Sequence, residues 1–229
     1  MLEFLKRKRK EATDAEALAY VVNLRARSSI RLGVQEFKDF ARPLNLHPVI
    51  LHAFFFVESA NAGFGEDGRL TILPEPHVAY RNAIDPVLMN KLYPRLFYKK
   101  WVNVKNVRKG EWHPYRLNHI DRWDHVISAA AVDFNAGLCG ASYGAGQQLG
   151  EDWHRLGFPS VVHFLEHLCD GQHNHLEVMI RKLRLGDQLA NLQAGKFEPV
   201  VRYYNGSGNV PEYLRRVEAA LKQKQVLYA

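Results

Sequence analysis

Cysteine is scarce. The chain holds two in 229 residues, Cys139 and Cys169, too few for a disulfide framework or a cysteine-rich zinc site. Both read as buried thiols. No apolar run approaches the roughly 20 residues that a membrane span requires; the longest lies near residues 51–57. Residues 1–10 are basic with no apolar stretch behind them, so they do not read as a secretory signal. Internal repeats, low-complexity linkers and sustained strand alternation are missing. What remains, 47% hydrophobic and 24% charged, is an ordinary globular chain with room for one large domain or two small ones.

Positive charge is unevenly spread. The chain carries +7, of which Lys6, Arg7, Lys8, Arg9 and Lys10 against Glu3 place +4 in the first ten residues. A basic tail on a mildly basic body suits an anionic polymer such as nucleic acid, acidic lipid or cell wall. No nucleic-acid reading motif accompanies the run, so nucleic acid is not an expected partner.

Helical patterning dominates. Thr13 and Glu16 have the spacing of a capping box, ahead of an apolar stripe through Ala17, Leu18, Val21, Val22 and Leu24. A second helix is expected over 34–41, stopped by Pro43. His47-Pro48 opens a third, because proline is tolerated at a first helical position. Val49, Ile50, Leu51, Ala53, Phe54, Phe55, Phe56 and Val57 leave that helix almost no polar face, which marks it as buried. Residues 67–112, with prolines at 74, 76, 86 and 94, read as loops, short strands and one helix near 86–92. Further helices are expected over 120–134, 159–168, 174–185 and 212–224, with a glycine-rich segment over 137–150.

Glu58 stands out from this pattern. It ends the most apolar helix, where burial and the negative end of the helix dipole both raise a carboxyl pKa. A carboxylic acid kept protonated near neutral pH is what general-acid catalysis needs. The glycines that follow, at 63, 65 and 68, allow a polymer backbone to come close.

The residues around Glu58 also resemble a known family. Val57-Glu58-Ser59-Ala60-Asn61-Ala62-Gly63-Phe64, then Asp67-Gly68-Arg69, then Ile72-Leu73-Pro74-Glu75-Pro76-His77 are similar to the phage-type N-acetylmuramidase domain of many endolysins. Ala141-Ser142-Tyr143-Gly144 with Gln147 resembles its Ala-Ser-Trp-Gly-x-Phe-Gln-Ile block, and Tyr204-Asn205-Gly206-Ser207-Gly208 its late Tyr-Asn-Gly-x-Gly. The blocks keep the family's order over roughly residues 30–220.

The resemblance implies a mainly α, lysozyme-like domain with irregular loops and at most a small β element, spanning 13–229 behind a basic extension over 1–12. It implies hydrolysis of the bond between N-acetylmuramic acid and N-acetylglucosamine in bacterial peptidoglycan, with Glu58 as the acid and no cofactor or metal. A glycosidase normally pairs its acid with a second carboxylate. Glu75 is preferred, Asp67 is the other block residue, and Glu66 and Asp133 stand behind them. Ser59, Tyr143, Gln147, Tyr204 and Asn205 are the expected sugar contacts. Three departures stand out: Tyr143 for the family's Trp, Pro74 for the Phe before Glu75, and Gly146 for a Phe, which would loosen the cleft floor. Such an enzyme is made in a host cytoplasm and meets the wall after holin-type release or as part of a virion, where phage tail or baseplate proteins become partners.

Two other readings compete. His163-Phe164-Leu165-Glu166-His167 fits H-x-x-E-H, with both histidines on one helical face as a zinc peptidase requires. The altered 146–148 segment also fits a lysozyme-fold component of a phage particle that has lost turnover.

Overall fold

The structure, a computed structural model, describes residues 13–28, 30–59, 63–206 and 209–229. The basic run at 6–10 and the expected extension lie outside the described residues, as do 60–62 and 207–208 of the resemblance blocks. Helix α1 covers 13–22, so Thr13 is already helical. Helix α2 (Val34–Ala41) buries Phe37 and Ala41, and a 3₁₀ turn containing Pro43 ends it. Helix α3 (Pro48–Glu58) begins as expected: His47 Nδ1 accepts the Val49 N–H at 3.3 Å, and Pro48 takes the first position.

Because α3 is apolar all round, it is packed on several sides at once. Leu51, Phe54 and Phe55 join Phe37, Leu176, Met179 and Leu183 in one cluster, while Ala53 and Val57 join Val201, Val210 and Val217 in another. Burying each large side chain contributes about 1.5–3 kcal/mol, so the position of the helix is strongly determined. Its carboxyl end is closed from the far end of the chain, where Arg216 donates to Val57 O at 2.8 Å. A cation there suits both the unpaired carbonyls and the dipole.

A three-stranded antiparallel sheet forms the other side of the site. Strands β1 (Ile72–Pro74), β2 (Ala141–Tyr143) and β3 (Gln148–Leu149) lie in that order, with Ile72 opposite Tyr143 and Tyr143 opposite Gln148. Pro74 is tolerated because β1 is an edge strand. Between β1 and β2 run α4 (Pro76–Asn82), α5 (Pro86–Leu92), α6 (His119–Val132) and α7 (Phe134–Cys139). The helix expected over 120–134 thus breaks at Asp133, which is extended and caps α7 by accepting the Ala136 N–H. The glycine-rich 137–150 segment holds the end of α7 and the β2–β3 hairpin.

Helices α8 (Val161–Cys169), α9 (Gln172–Leu185), α10 (Gln188–Gln193), α11 (Phe197–Asn205) and α12 (Val210–Gln225) complete the chain. Trp123, Tyr143, Phe164, Leu165 and Leu168 pack between sheet and helices. Helices α4, α7, α10 and α11 were not legible in the sequence. Proline density hid α4, whose Pro76 occupies a first helical position.

Candidate active site

Glu58 is the last residue of α3, 9% exposed, and it lines a cleft of about 990 Å³. Phe64, Glu66 and Asp67 form part of the wall, and Thr71, Ile72 and Leu73 of the β1 edge form another. The start of α6 supplies Asn118, His119 and Arg122, and the hairpin turn supplies Gly144, Ala145 and Gln147. The segments matching four resemblance stretches therefore meet at one groove.

Three carboxylates, Glu58, Glu66 and Asp67, share that groove. Burial alone would raise the Asp67 carboxyl. Hydrogen bonds from the Arg69 side chain (2.5 Å) and backbone (3.0 Å), with the His119 imidazole at 3.1 Å, hold it instead at about 2. Asp67 is an anion throughout the neutral range. The charge of Glu58 reaches away from the groove too: after burial, it is the next cause pushing the Tyr204 and Tyr213 phenols upward.

Glu75, the preferred second carboxylate, is placed elsewhere by the structure. It does not line the cleft; its carboxyl accepts the Tyr115 hydroxyl at 2.8 Å and lies 3.5 Å from His77 Nδ1. Burial pushes it up to about 7, against the Tyr115 hydrogen bond and Arg81. The same burial lowers His77, so the two lie close without forming an ion pair. An acid raised from 4.5 favours folding in its neutral form. Its stabilisation is full below about pH 4.5 and is lost as pH rises through 7. Glu75→Gln keeps the acceptor for Tyr115 and is expected to gain about 3 kcal/mol over wild type at pH 8, fading to nothing near pH 4.5. Thermal melts across that range check it; an equal offset at both ends contradicts the assignment.

Among the expected sugar contacts whose side chains are described, Gln147 alone lines the groove. Its backbone is left-handed, and its side chain bridges the hairpin, accepting from Ser142 Oγ at 3.1 Å and donating to Gly144 O at 2.9 Å. Ser59 closes α3, its N–H donating to Phe55 O at 2.7 Å, and lies outside the lining. Tyr143 is 0% exposed, with its hydroxyl on Leu138 O at 2.8 Å. As the inward residue of a central strand it presents no face to a sugar. Tyr204 sits beneath the turn: its hydroxyl donates to Gly146 O at 3.1 Å and accepts from Gln148, and its ring meets Phe54 edge-on. A Cβ on Gly146 would lie 2.8 Å from that hydroxyl, so the space left by the family's large residue is filled. Asn205 is the last residue of α11; its side chain lies outside the described parts.

Sequence reasoning missed the polar group at the start of α6 and a buried histidine beneath the groove. Asn118 caps α6 by accepting the Asp121 N–H at 2.9 Å, so the Asn-x-x-Asp spacing was the available signal. His175 had none. Its Nδ1 accepts the Ala145 N–H at 2.9 Å and its Nε2 donates to Leu168 O at 2.8 Å. Burial holds it neutral, at about 4. A Cβ on Gly63 would lie 2.4 Å from its ring and one on Gly144 2.9 Å, and both glycines have positive φ. The imidazole thereby fixes two walls of the groove against each other.

The H-x-x-E-H residues have other partners. His163 Nδ1 meets Ser160 Oγ at 2.8 Å, His167 Nε2 meets Glu177 at 2.7 Å, and Glu166 accepts from Tyr20 and Arg27. Among the described residues no three His, Cys, Asp or Glu side chains converge on a common point. Cys139 and Cys169 are free and buried, and burial pushes both thiols up to about 12.

Comparison with known proteins bears on this arrangement. A family model described as N-acetylmuramidase matches residues 47–225. The crystal structure of Burkholderia AP3 phage endolysin is similar at a TM-score of 0.73 and 24% identity, covering 95% of this chain and 86% of that one. No curated protein matches the chain. The two structures share a lysozyme-like fold, which in this chain is mainly helical with a small sheet.

Proposed function

Because the chain belongs to the N-acetylmuramidase family, and so to the glycoside hydrolases of peptidoglycan, we propose that it cleaves the bond between N-acetylmuramic acid and N-acetylglucosamine with Glu58 as general acid. The observation that supports this is placement: Glu58, which the resemblance puts at the family's glutamate position, ends an apolar helix and lines a groove of about 990 Å³. Glu58 delivers a proton to the leaving glycosidic oxygen as positive charge builds on the muramyl ring. Asp67, in place of the expected Glu75, is the second carboxylate. Anionic and anchored by Arg69 and His119, it stabilises that charge. Gln147 offers its amide edge to the sugars.

Residues 13–229 form the catalytic domain in this reading, behind a basic extension over 1–12. The likeness in fold to a phage endolysin supports placing the chain among phage lysins. Such a lysin is made in the host cytoplasm and reaches the wall by holin-type release or on a virion.

Mass spectrometry of fragments released from purified peptidoglycan tests the bond assignment. Reducing N-acetylmuramic acid ends that persist with a chelator present are expected. Reducing N-acetylglucosamine ends, or intact glycan with cut stem peptides, would overturn it.

A further inference from the structure

Outside the groove, charge and apolar exposure coincide in one stretch. Residues 84–112 hold seven basic residues against Asp85 and Glu111, a net of +5 of the chain's +7. All seven are exposed. None forms an ion pair among the described residues, whereas Arg27, Arg69, Arg81, Arg181 and Arg202 each hold a carboxylate. Cations left without counter-ions on one segment are an electrostatic footprint for an anionic surface.

The same segment exposes large apolar side chains. Helix α5 has no buried residue. Ile84 is 84% exposed, Val87 72%, Leu92 54% and Trp101 51%. On α5, Val87 lies one turn from Lys91 and Leu88 one turn from Leu92, so apolar and basic side chains stand side by side. The lobe is held in shape: Phe97 is fully buried, Asn90 donates to its carbonyl at 2.6 Å, and Arg116 donates to Val107 O, Arg108 O and Glu111 O at 2.7–2.8 Å.

A soluble polyanion would satisfy the lysines and leave Ile84, Val87 and Leu92 in water. A bilayer with anionic headgroups takes both, with basic groups at the phosphates, apolar side chains at the acyl boundary and Trp101 at the interface. We propose that residues 84–112 form a docking surface for an anionic lipid bilayer. The surface is separate from the groove and does not depend on the reaction proposed for it.

Co-sedimentation of the full chain with vesicles tests this. Phosphatidylglycerol–phosphatidylethanolamine vesicles are expected to bind at about tenfold lower lipid than phosphatidylcholine vesicles. The combined Ile84→Ser, Val87→Ser and Leu92→Ser variant is expected to lose about tenfold in binding at an unchanged melting temperature. Lys99→Glu with Lys100→Glu is expected to abolish the preference for anionic vesicles. Replacing residues 6–10 by serine is expected to leave binding in place. Equal binding to both vesicle types overturns the proposal, as does loss confined to the 6–10 variant. Unchanged vesicle binding by the triple-serine variant, matched by unchanged binding to polyphosphate, assigns the surface to a soluble polyanion and overturns it as well.

Discussion

Glu58→Gln is expected to lower the release of muramic-acid reducing ends by about 10³-fold, within the 10²–10⁴ that a positioned acid contributes, while the protein melts as wild type does. Glutamine keeps the shape of the side chain at the end of α3 and removes its transferable proton. The packing that positions it, through Ala53 and Val57 on one side and Phe54 and Phe55 on the other, is untouched. That loss corresponds to about 4 kcal/mol of transition-state stabilisation. Asp67→Asn should cost less, about 10²-fold, because it removes charge stabilisation but no proton donor. Reducing-end assays on peptidoglycan, run beside thermal melts, separate chemistry from folding. A Glu58→Gln protein with wild-type turnover would end the general-acid assignment; an unfolded one would show Glu58 to be part of the core.

The second large effect belongs to His175. His175→Phe preserves volume but leaves the Ala145 N–H without its acceptor, while the Leu168 C=O keeps the Gly171 N–H at 3.4 Å. An orphaned buried donor costs about 1–3 kcal/mol, so a loss of about 1–3 kcal/mol is expected. A pH signature accompanies it. The folded value of His175, about 4, lies below the ordinary 6.5, so the unfolded chain binds the proton first. Stability is complete above pH 6.5 and declines as pH falls toward 4, by about 3 kcal/mol. His125, lowered by burial to about 4, contributes in the same direction, whereas Glu75 acts oppositely. Melting curves at pH 4, 5, 6.5 and 8 should show the phenylalanine variant less stable at pH 8 and less sensitive to acid than wild type. A variant with the wild-type slope would mean that His175 does not resist protonation.

Most helices were legible because their signals are local. Pro48 after His47 fixed the start of α3, and its unbroken apolar run marked it as buried, which singled out Glu58 before any geometry was known. Helices α2 and α5 fall where proline and periodicity placed them. The site partners were harder to read because their signals are not local. Strand β2 has three residues, too short for alternation to show which face Tyr143 takes. Gly206 reads as a loop residue, yet here it ends a helix whose Tyr204 points under the hairpin. Glu75 follows β1 in sequence, but the turn into α4 takes its carboxyl to Tyr115, away from the groove that Leu73 lines. His175 became visible only when Gly63, Gly144 and Ala145 came around it.

The hydrogen bond from Arg216 to Val57 spans 159 positions of sequence, and the apolar contacts of α12 with α3 span similar distances. Chain emerging from a ribosome therefore carries the Glu58 helix for most of its synthesis with one apolar face uncovered. Long-range closure of this kind is slow relative to local helix formation. Hydrolytic competence should arrive in a single late step, when α12 docks, and a chain stopped short of residue 216 would hold every residue of the groove without a closed end to the helix that presents its acid.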